Sequence, residues 1–459
     1  MQPSTALHDQ VPADLLARYD RPVPRYTSYP TAPHFHAGVD AATYAAWLGA
    51  LDPAAALSLY VHIPFCARLC WFCGCHTRVV NRYEPVAAYV GTLLCEARAV
   101  AAALGPRHPA VALHWGGGSP TLLKPDDVRR LADGIFQVFG RAPGHAFAVE
   151  VDPRGLTPAL AAALAEAGVN RASLGVQDLD PAVQAAVNRH QSLDVTAEAV
   201  RLLRGHGIAA INIDLMYGLP GQTLDGLLRT VDSVAALAPD RMALFGYAHV
   251  PWMKQHQQLI DARRLPDGAG RWRQMTAAAR RIREHGYVAV GIDHFARPDD
   301  PLAHAHADGT LGRGFQGYTA DTGTALVGLG ASAIGMLPQG YVQNLVAVRD
   351  YQGAIAGGRL ATARGVALTA EDRLRRAVIE RLLCDFAADV PALAAAHGLP
   401  APTLADAADA LAPLAADGLV VQRDGCLAIT ECGRPFARVV AAAFDAYLRP
   451  GMRRHARAV

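Results

Sequence analysis

The chain has 459 residues, 51% hydrophobic and 18% charged, which excludes a disordered chain and allows two or three domains with sizeable cores. Lys plus Arg number 43 and Asp plus Glu 41, so the net charge of +2 gives no electrostatic case for nucleic acid. Eight cysteines in a chain of this length exclude a disulfide framework.

The start, Met1 to Gln10, lacks a basic region followed by an apolar core, so no signal peptide is expected. No uninterrupted apolar run approaches the ~18–20 residues of a bilayer span. A cytoplasmic protein without membrane insertion is therefore expected. Residues 1–55 read as an extension that holds a dense turn segment, Arg21 to Thr31. Turn-rich segments with Arg and aromatic residues are commonly plain surface loops.

From residue 57, short β-like runs alternate with amphipathic or Ala-rich helical stretches. Strands are expected at Leu57–Ile63, Val111–Trp115, Ala146–Val151, Arg171–Val176, Ala210–Met216, Met242–Tyr247 and Val288–Ile292. Helices are expected at Glu84–Leu104, Asp126–Phe139, Pro158–Ala167, Val195–His206, Leu224–Leu237 and Arg271–His285. Repeated βα units imply a parallel sheet covered by helices. Polar residues with chemical potential stand just after six of the strands. That distribution favours a (β/α) barrel, with its site at the strand C-termini, over a doubly wound sheet with one crevice. Six or seven units predict an incomplete barrel, placed at 56–364. After about residue 365 the pattern changes. Helices are expected at Glu371–Phe386 and Thr403–Ala416, then a hairpin over 418–430 turning at Asp424-Gly425. This predicts a small, mostly helical, winged-helix-like C-terminal domain over 365–459 that packs on the barrel.

The loop after the first strand carries Cys66-x3-Cys70-x2-Cys73, then Cys75. Three thiolates on one loop can hold three corners of a cubane iron–sulfur cluster and leave one iron open. A zinc ribbon is the competing reading, but it uses two separated Cys pairs. Here Cys95, Cys384, Cys426 and Cys432 are scattered. Cys75 lies too close to Cys73 to be a usual fourth ligand. Gly116-Gly117-Gly118 allows close backbone approach, or simply a tight turn. Glu150 and Asp214 are carboxylates at apolar strand ends, either structural ion pairs or ligand contacts. Gln177 and Arg189 are uninformative singly. His62 and Trp71 read as packing or shielding residues.

The C-x3-C-x2-C spacing resembles the signature of the radical S-adenosylmethionine (SAM) superfamily. Five stretches together resemble oxygen-independent coproporphyrinogen III oxidase: Pro24 to Ala32, the cysteine loop ending Cys73-Gly-Cys75, His114 to Thr121, Glu150 to Arg154 and Asp214 to Pro220. Val187-Asn-Arg189, Gly246 to Pro251, Gly291 to Ala296 and Gln316 to Thr319 extend the likeness. A haem-chaperone-type paralogue is the alternative; its loop typically continues Asp-Phe after the third Cys and it lacks the Arg-Tyr-Thr-Ser-Tyr-Pro extension. Ser119 stands where many relatives carry Thr, and the stretch 320–335 is hard to align.

The resemblance implies conversion of coproporphyrinogen III to protoporphyrinogen IX by a radical generated from SAM at a [4Fe–4S] cluster. It implies cluster binding by Cys66, Cys70 and Cys73. It implies a first SAM near Tyr60, Gly117, Glu150 and Ile334, and a second near Gly118, Ser119, Gln177, Arg189, Asp214 and Ala248. Cys75 is the candidate catalytic residue. A flavodoxin- or ferredoxin-type electron donor and a monomeric state are expected. Arg25 and Arg297 are candidate partners for substrate carboxylates, and Arg25 to Tyr29 a candidate lid.

Overall fold

Period-two patterning sets the strands of the barrel. In Arg171–Gln177, Ala172, Leu174 and Val176 are buried against the helices, while Arg171, Ser173, Gly175 and Gln177 alternate toward the lumen. In Ala210–Tyr217, Ile211, Ile213 and Leu215 alternate in the same way with Asn212, Asp214 and Met216. The βα loops end in residues that cap the next helix. Thr157, Ser192, Thr223 and Asp267 accept from Leu160, Val195, Gly226 and Gly270 amides respectively.

The structure is a computed structural model and describes residues 13–105, 108–321 and 323–448. Its main sheet has twelve strands. In chain order they are β1 (Leu57–Ile63), β2 (Ala110–Gly117), β3 (Arg141–Val151), β4 (Arg171–Gln177), β5 (Ala210–Tyr217), β6 (Arg241–Gly246), β7 (Val288–Val290), β8 (His294–Ala296), β9 (Ala325–Leu329), β10 (Ile334–Leu337), β11 (Gly340–Asn344) and β12 (Thr362–Ala367). The spatial order is β12-β11-β10-β9-β1-β2-β3-β4-β5-β6-β8-β7. Strands β9 and β1 through β6 run parallel, and the outer strands at both edges are antiparallel. The first and last strands of this order do not pair with each other, so the barrel is incomplete, as expected.

Two features of the barrel differ from the sequence reading. Val288–Ile292 is not a parallel barrel strand. It is cut short at Val290, and the chain turns at Gly291 (φ 57°) so that β8 comes between it and β6. An apolar run of five residues does not reveal the direction of its neighbour. The seventh parallel strand is β9, from the stretch that was hard to align.

Helix Glu84–Leu104 is long and apolar enough to cross a membrane by length and composition alone. It is a core helix here, with Val86, Tyr89, Val90, Leu93, Ala97 and Val100 buried. Its Glu96 is also buried, and accepts hydrogen bonds from Gly330 N (2.7 Å), Asn344 Nδ2 (2.6 Å) and the Tyr351 hydroxyl (2.6 Å). These bonds fix the chain just after β9. Burial raises the Glu96 carboxyl from 4.5 to about 7, against the pull of its three donors. A carboxyl raised in the folded state contributes most stability below pH 4.5, and that contribution is lost as pH rises through about 7. Glu96→Gln keeps an acceptor without the titration. The melting temperature of the variant, relative to wild type, is expected to rise between pH 4.5 and 7. Parallel pH profiles would show that Glu96 does not carry the effect.

The C-terminal elements include helix Ala370–Cys384, a 3-10 segment Ala401–Ala407, helix Ala408–Ala416 and the hairpin Val420–Arg423/Cys426–Ile429. The hairpin turns at Asp424-Gly425, both with positive φ, as its sequence demands. Ala387–Asp389 adds a third strand. The expected single helix Thr403–Ala416 is broken because Leu404 has non-helical dihedrals. Tyr19, Val23, Tyr26 and Tyr29 of the N-terminal extension belong to the hydrophobic core of this C-terminal region. The extension is therefore not a plain surface loop.

Candidate active site at the barrel mouth

The cysteine loop leaves the C-terminal end of β1 and is braced from several sides. Phe65-Cys66 pair in parallel with Arg78-Val79, closing the loop on itself. Gly118 N–H donates to Ile63 O (2.8 Å) and Ser119 N–H to Phe65 O (2.7 Å). A Cβ on Gly118 would lie 2.6 Å from Phe65 O, so the glycine lets β2 press against the loop. Gly117 has φ +112°, and a Cβ there would meet the His62 ring at 2.5 Å.

Two more distant segments grip the loop. Trp71 N–H donates to Val187 O (2.9 Å), and Asn188 Nδ2 to Leu69 O (2.8 Å). Lys254 Nζ donates to Cys75 O (2.9 Å), His256 Nε2 to Cys73 O (2.8 Å) and Gln257 Nε2 to Phe72 O (3.1 Å). Trp71 packs beside Val183, Val187 and Leu219, and buried His62 hydrogen-bonds Tyr60 and His76, so both are packing residues.

The thiols differ. Burial, with repulsion from Cys73 and Cys70, pushes Cys66 up to about 12. A hydrogen bond from Cys75 lowers Cys73 to about 6 and raises Cys75 well above the usual thiol value. Cys70 is buried, and its Sγ faces two guanidinium groups, Arg189 Nη1 at 3.5 Å and Arg154 Nη2 at 3.8 Å. Arg154 is itself held bidentately by Asp152 (2.8 and 2.6 Å). Two cations beside one thiolate offset the negative charge of a thiolate-bound cluster.

The remaining expected residues lie around the lumen. Tyr60 opposes His114 on β2 and Gly328 on β9. A Cβ on Gly328 would lie 2.6 Å from Ile334 O, so Ile334 lies against Gly328, the strand partner of Tyr60. Glu150 accepts from Gly117 N (3.0 Å) and His114 Nε2 (3.3 Å). Burial would raise its carboxyl, but these donors and the nearby imidazoles outweigh it and leave it below the ordinary value. Asp214, on β5 beside Gly175, accepts from Asn212 Nδ2 (2.8 Å) and is raised by burial to about 6. Gln177 ends β4 with φ +71°, a left-handed conformation rare for a side-chain-bearing residue and often found at functional sites. A Cβ on Gly175 would lie 3.1 Å from Arg189 Nη2 and 3.2 Å from Gln177 Nε2, so the two side chains converge. Gln177 Oε1 and Arg189 Nε are buried without a hydrogen-bond partner. Ser119 is buried and bonds Thr121 (3.0 Å). Ala248 follows β6, its carbonyl held by Gln257 Nε2 (3.2 Å).

Arg25 reaches the mouth, donating to Gly246 O at 3.0 Å. Arg297 does not. Its Nε donates to Pro239 O (3.2 Å), before β6 begins, at the opposite end of the barrel. Arg154, Asn188, Lys254, His256 and Gln257 were not singled out from sequence. Arg154 and Asn188 fall within motifs of the family likeness, but nothing local marks the other three.

These residues fit a [4Fe–4S] cluster and SAM. The donor set is three thiolates on one braced loop, beside a glycine-lined strand end and two orphaned buried polar atoms. Among the described residues, no three His, Cys, Asp or Glu side chains converge as a mononuclear metal site. A cubane requires no such convergence, because each thiolate binds a different iron. Cys75→Ser should keep iron and sulfide, since the loop's braces involve its backbone. Turnover should fall on the order of tenfold or more if the thiol delivers a proton. Failure to assemble a cluster would make Cys75 structural or a ligand, and wild-type turnover would make it a bystander.

A family model for the radical SAM superfamily matches residues 60–234, and one for the HemN C-terminal domain matches residues 368–436. The oxygen-independent coproporphyrinogen III oxidase of Bradyrhizobium diazoefficiens is 50% identical over 448 residues, covering 97% of this chain and 100% of that relative. The Pseudomonas aeruginosa protein of the same name is 40% identical over 450 residues, with 95% and 96% covered. The solved structure of Escherichia coli coproporphyrinogen III oxidase (HemN), a radical SAM enzyme, superimposes with a TM-score of 0.90 at 37% identity, covering 96% of this chain and all of that one. These full-length matches favour the oxidase over the chaperone-type alternative. The chain belongs to the oxygen-independent coproporphyrinogen III oxidase family of radical SAM enzymes.

Proposed function

We propose that this chain converts coproporphyrinogen III to protoporphyrinogen IX without oxygen, in haem biosynthesis. The observation that carries the reading is the braced three-cysteine loop at the barrel mouth, in a chain matching named oxidases over nearly its whole length. Cys66, Cys70 and Cys73 hold three irons of the cluster. Tyr60, Gly117, Glu150 and Ile334 surround the first SAM. Gly118, Ser119, Gln177, Arg189, Asp214 and Ala248 surround the second. The bound cluster and SAM supply a carbon radical strong enough to take an inert C–H hydrogen. Two propionates each lose a β-hydrogen atom to the carbon radical, then carbon dioxide and one electron that passes to an external one-electron acceptor, and become vinyl groups.

The chain's own residues bind, orient and exclude water. The glycine-lined end of β2 admits ligand backbone-close. Glu150, held ionised by His114 and the Gly117 amide, suits an ammonium group. Asp214, when ionised, suits hydroxyl donors. Of the described residues, 13–55 cover the mouth, 56–364 form the catalytic barrel, and 365–448 pack beside it. A reduced flavodoxin- or ferredoxin-type protein supplies the electron to a monomeric, cytoplasmic enzyme. The test is anaerobic: reconstituted protein with coproporphyrinogen III, SAM and reductant should yield protoporphyrinogen. SAM cleavage without any vinyl product would overturn the reading.

A further inference from the structure

A second feature of the mouth is a surplus of positive charge. A cavity lies between the β6–β8 edge, helix Gly268–Glu284 and the C-terminal region. Six arginines line it, including Arg25, Arg313 and Arg438, against two carboxylates, Asp293 and Glu431. The other walls include Phe245, Ile292, Phe295 and Phe386. Arg313 donates through Nη2 to Arg25 O (3.2 Å) and stacks over the Tyr318 ring (4.5 Å). Its Nε and Nη1 are buried without a hydrogen-bond partner. Asp293 is engaged by His294 (2.7 Å) and also faces Arg25, Arg313 and Arg438, so one carboxylate is shared among three guanidinium groups. Burial and the charges of Arg25 and Arg313 make ionisation of Arg438 harder, lowering it to about 10. Arg434 pairs with Glu431 (2.7 Å), and the like charges of Arg25, Arg313 and Arg438 gathered on one wall repel one another, which an added anion relieves.

We propose that this cavity is an anion subsite that grips propionate carboxylates of the substrate, with Arg313 and Arg438 as ligands beside Arg25. The inference deepens the substrate reading above and rests on it. Apolar and aromatic walls next to guanidinium groups suit a macrocycle with carboxylate arms better than a small inorganic anion. The C-terminal region thereby supplies part of the substrate site, through Arg438 and Phe386.

The test is equilibrium binding of coproporphyrin III, the stable oxidised macrocycle, to the full chain with reconstituted cluster. Arg313→Gln and Arg438→Gln should each weaken binding by about tenfold or more, as loss of one partner of a buried charge pair does. Thr276→Glu places a carboxylate on the cavity wall without removing any arginine. It should weaken binding as well, at an unchanged melting temperature, which separates site loss from unfolding. The tetramethyl ester should bind wild type weakly and be indifferent to all three substitutions, and phosphate should compete poorly with the acid. Wild-type affinity in both arginine variants, or equal binding of acid and ester, overturns the subsite. If wild type makes protoporphyrinogen in that case, the functional reading stands without the subsite. If wild type makes none, the functional reading itself fails.

Discussion

Serine at Cys66, Cys70 or Cys73 is expected to abolish both cluster assembly and turnover. Each thiolate holds its own iron, so no remaining ligand can substitute for the one lost. A serine hydroxyl is a hard donor that stays protonated near neutral pH, unlike the soft thiolate that iron–sulfur clusters select. The surrounding braces should survive, because they run through backbone groups at Leu69, Phe72, Cys73 and Cys75. The loss should therefore appear in iron, sulfide and the visible thiolate–iron absorbance, with the melting curve of the apoprotein little changed. Full iron occupancy in any of the three variants would refute the ligand assignment.

Deletion of residues 1–35 is expected to loosen the C-terminal region as well as uncover the barrel mouth. Tyr19, Val23, Tyr26 and Tyr29 are each no more than 4% exposed and sit among Leu374, Leu382 and Phe436. Burying an apolar side chain is worth on the order of 1.5–3 kcal/mol, so losing four costs on the order of 6 kcal/mol or more. That is comparable with the whole stability of a domain, about 5–15 kcal/mol. Anchoring hydrogen bonds go too, from the Tyr26 hydroxyl to Asp445 (2.9 Å) and from Ala446 N to the Tyr29 hydroxyl (3.1 Å). Hydrogen exchange should therefore accelerate over residues 370–448, while strands β1 to β6 stay protected. Unchanged exchange there would show that the shared core carries little energy. In the same anaerobic reaction, protoporphyrinogen formation should vanish while slow 5′-deoxyadenosine formation persists, because an open mouth exposes a carbon radical to solvent. Retention of both products would sink the lid, and equal loss would leave only a folding role. Arg25→Ala keeps the buried tyrosines and removes the guanidinium that bonds Gly246 O and lines the mouth cavity. A selective loss of decarboxylation in that variant would locate the effect at the mouth.

The sequence by itself determined the repeating βα core and the chemistry of its first loop. Period-two and helical patterns are local, so β1 and helix Glu84–Leu104 agree with the expected spans residue for residue. Cysteine spacing is local too, which is why the three proposed ligands were legible before any geometry. The tertiary structure alone decided which parallel strand closes on β1, since β9 is short and its stretch carries no distinctive pattern. It alone placed Arg297 at the wrong end of the barrel and Arg25 at the mouth. It alone set Asn188 and Lys254 against the cysteine loop, 119 and 179 positions away along the chain. A residue's own neighbours in sequence fix its periodicity and capping. Contacts between distant segments depend on how the elements pack, and that information is spread over the whole chain.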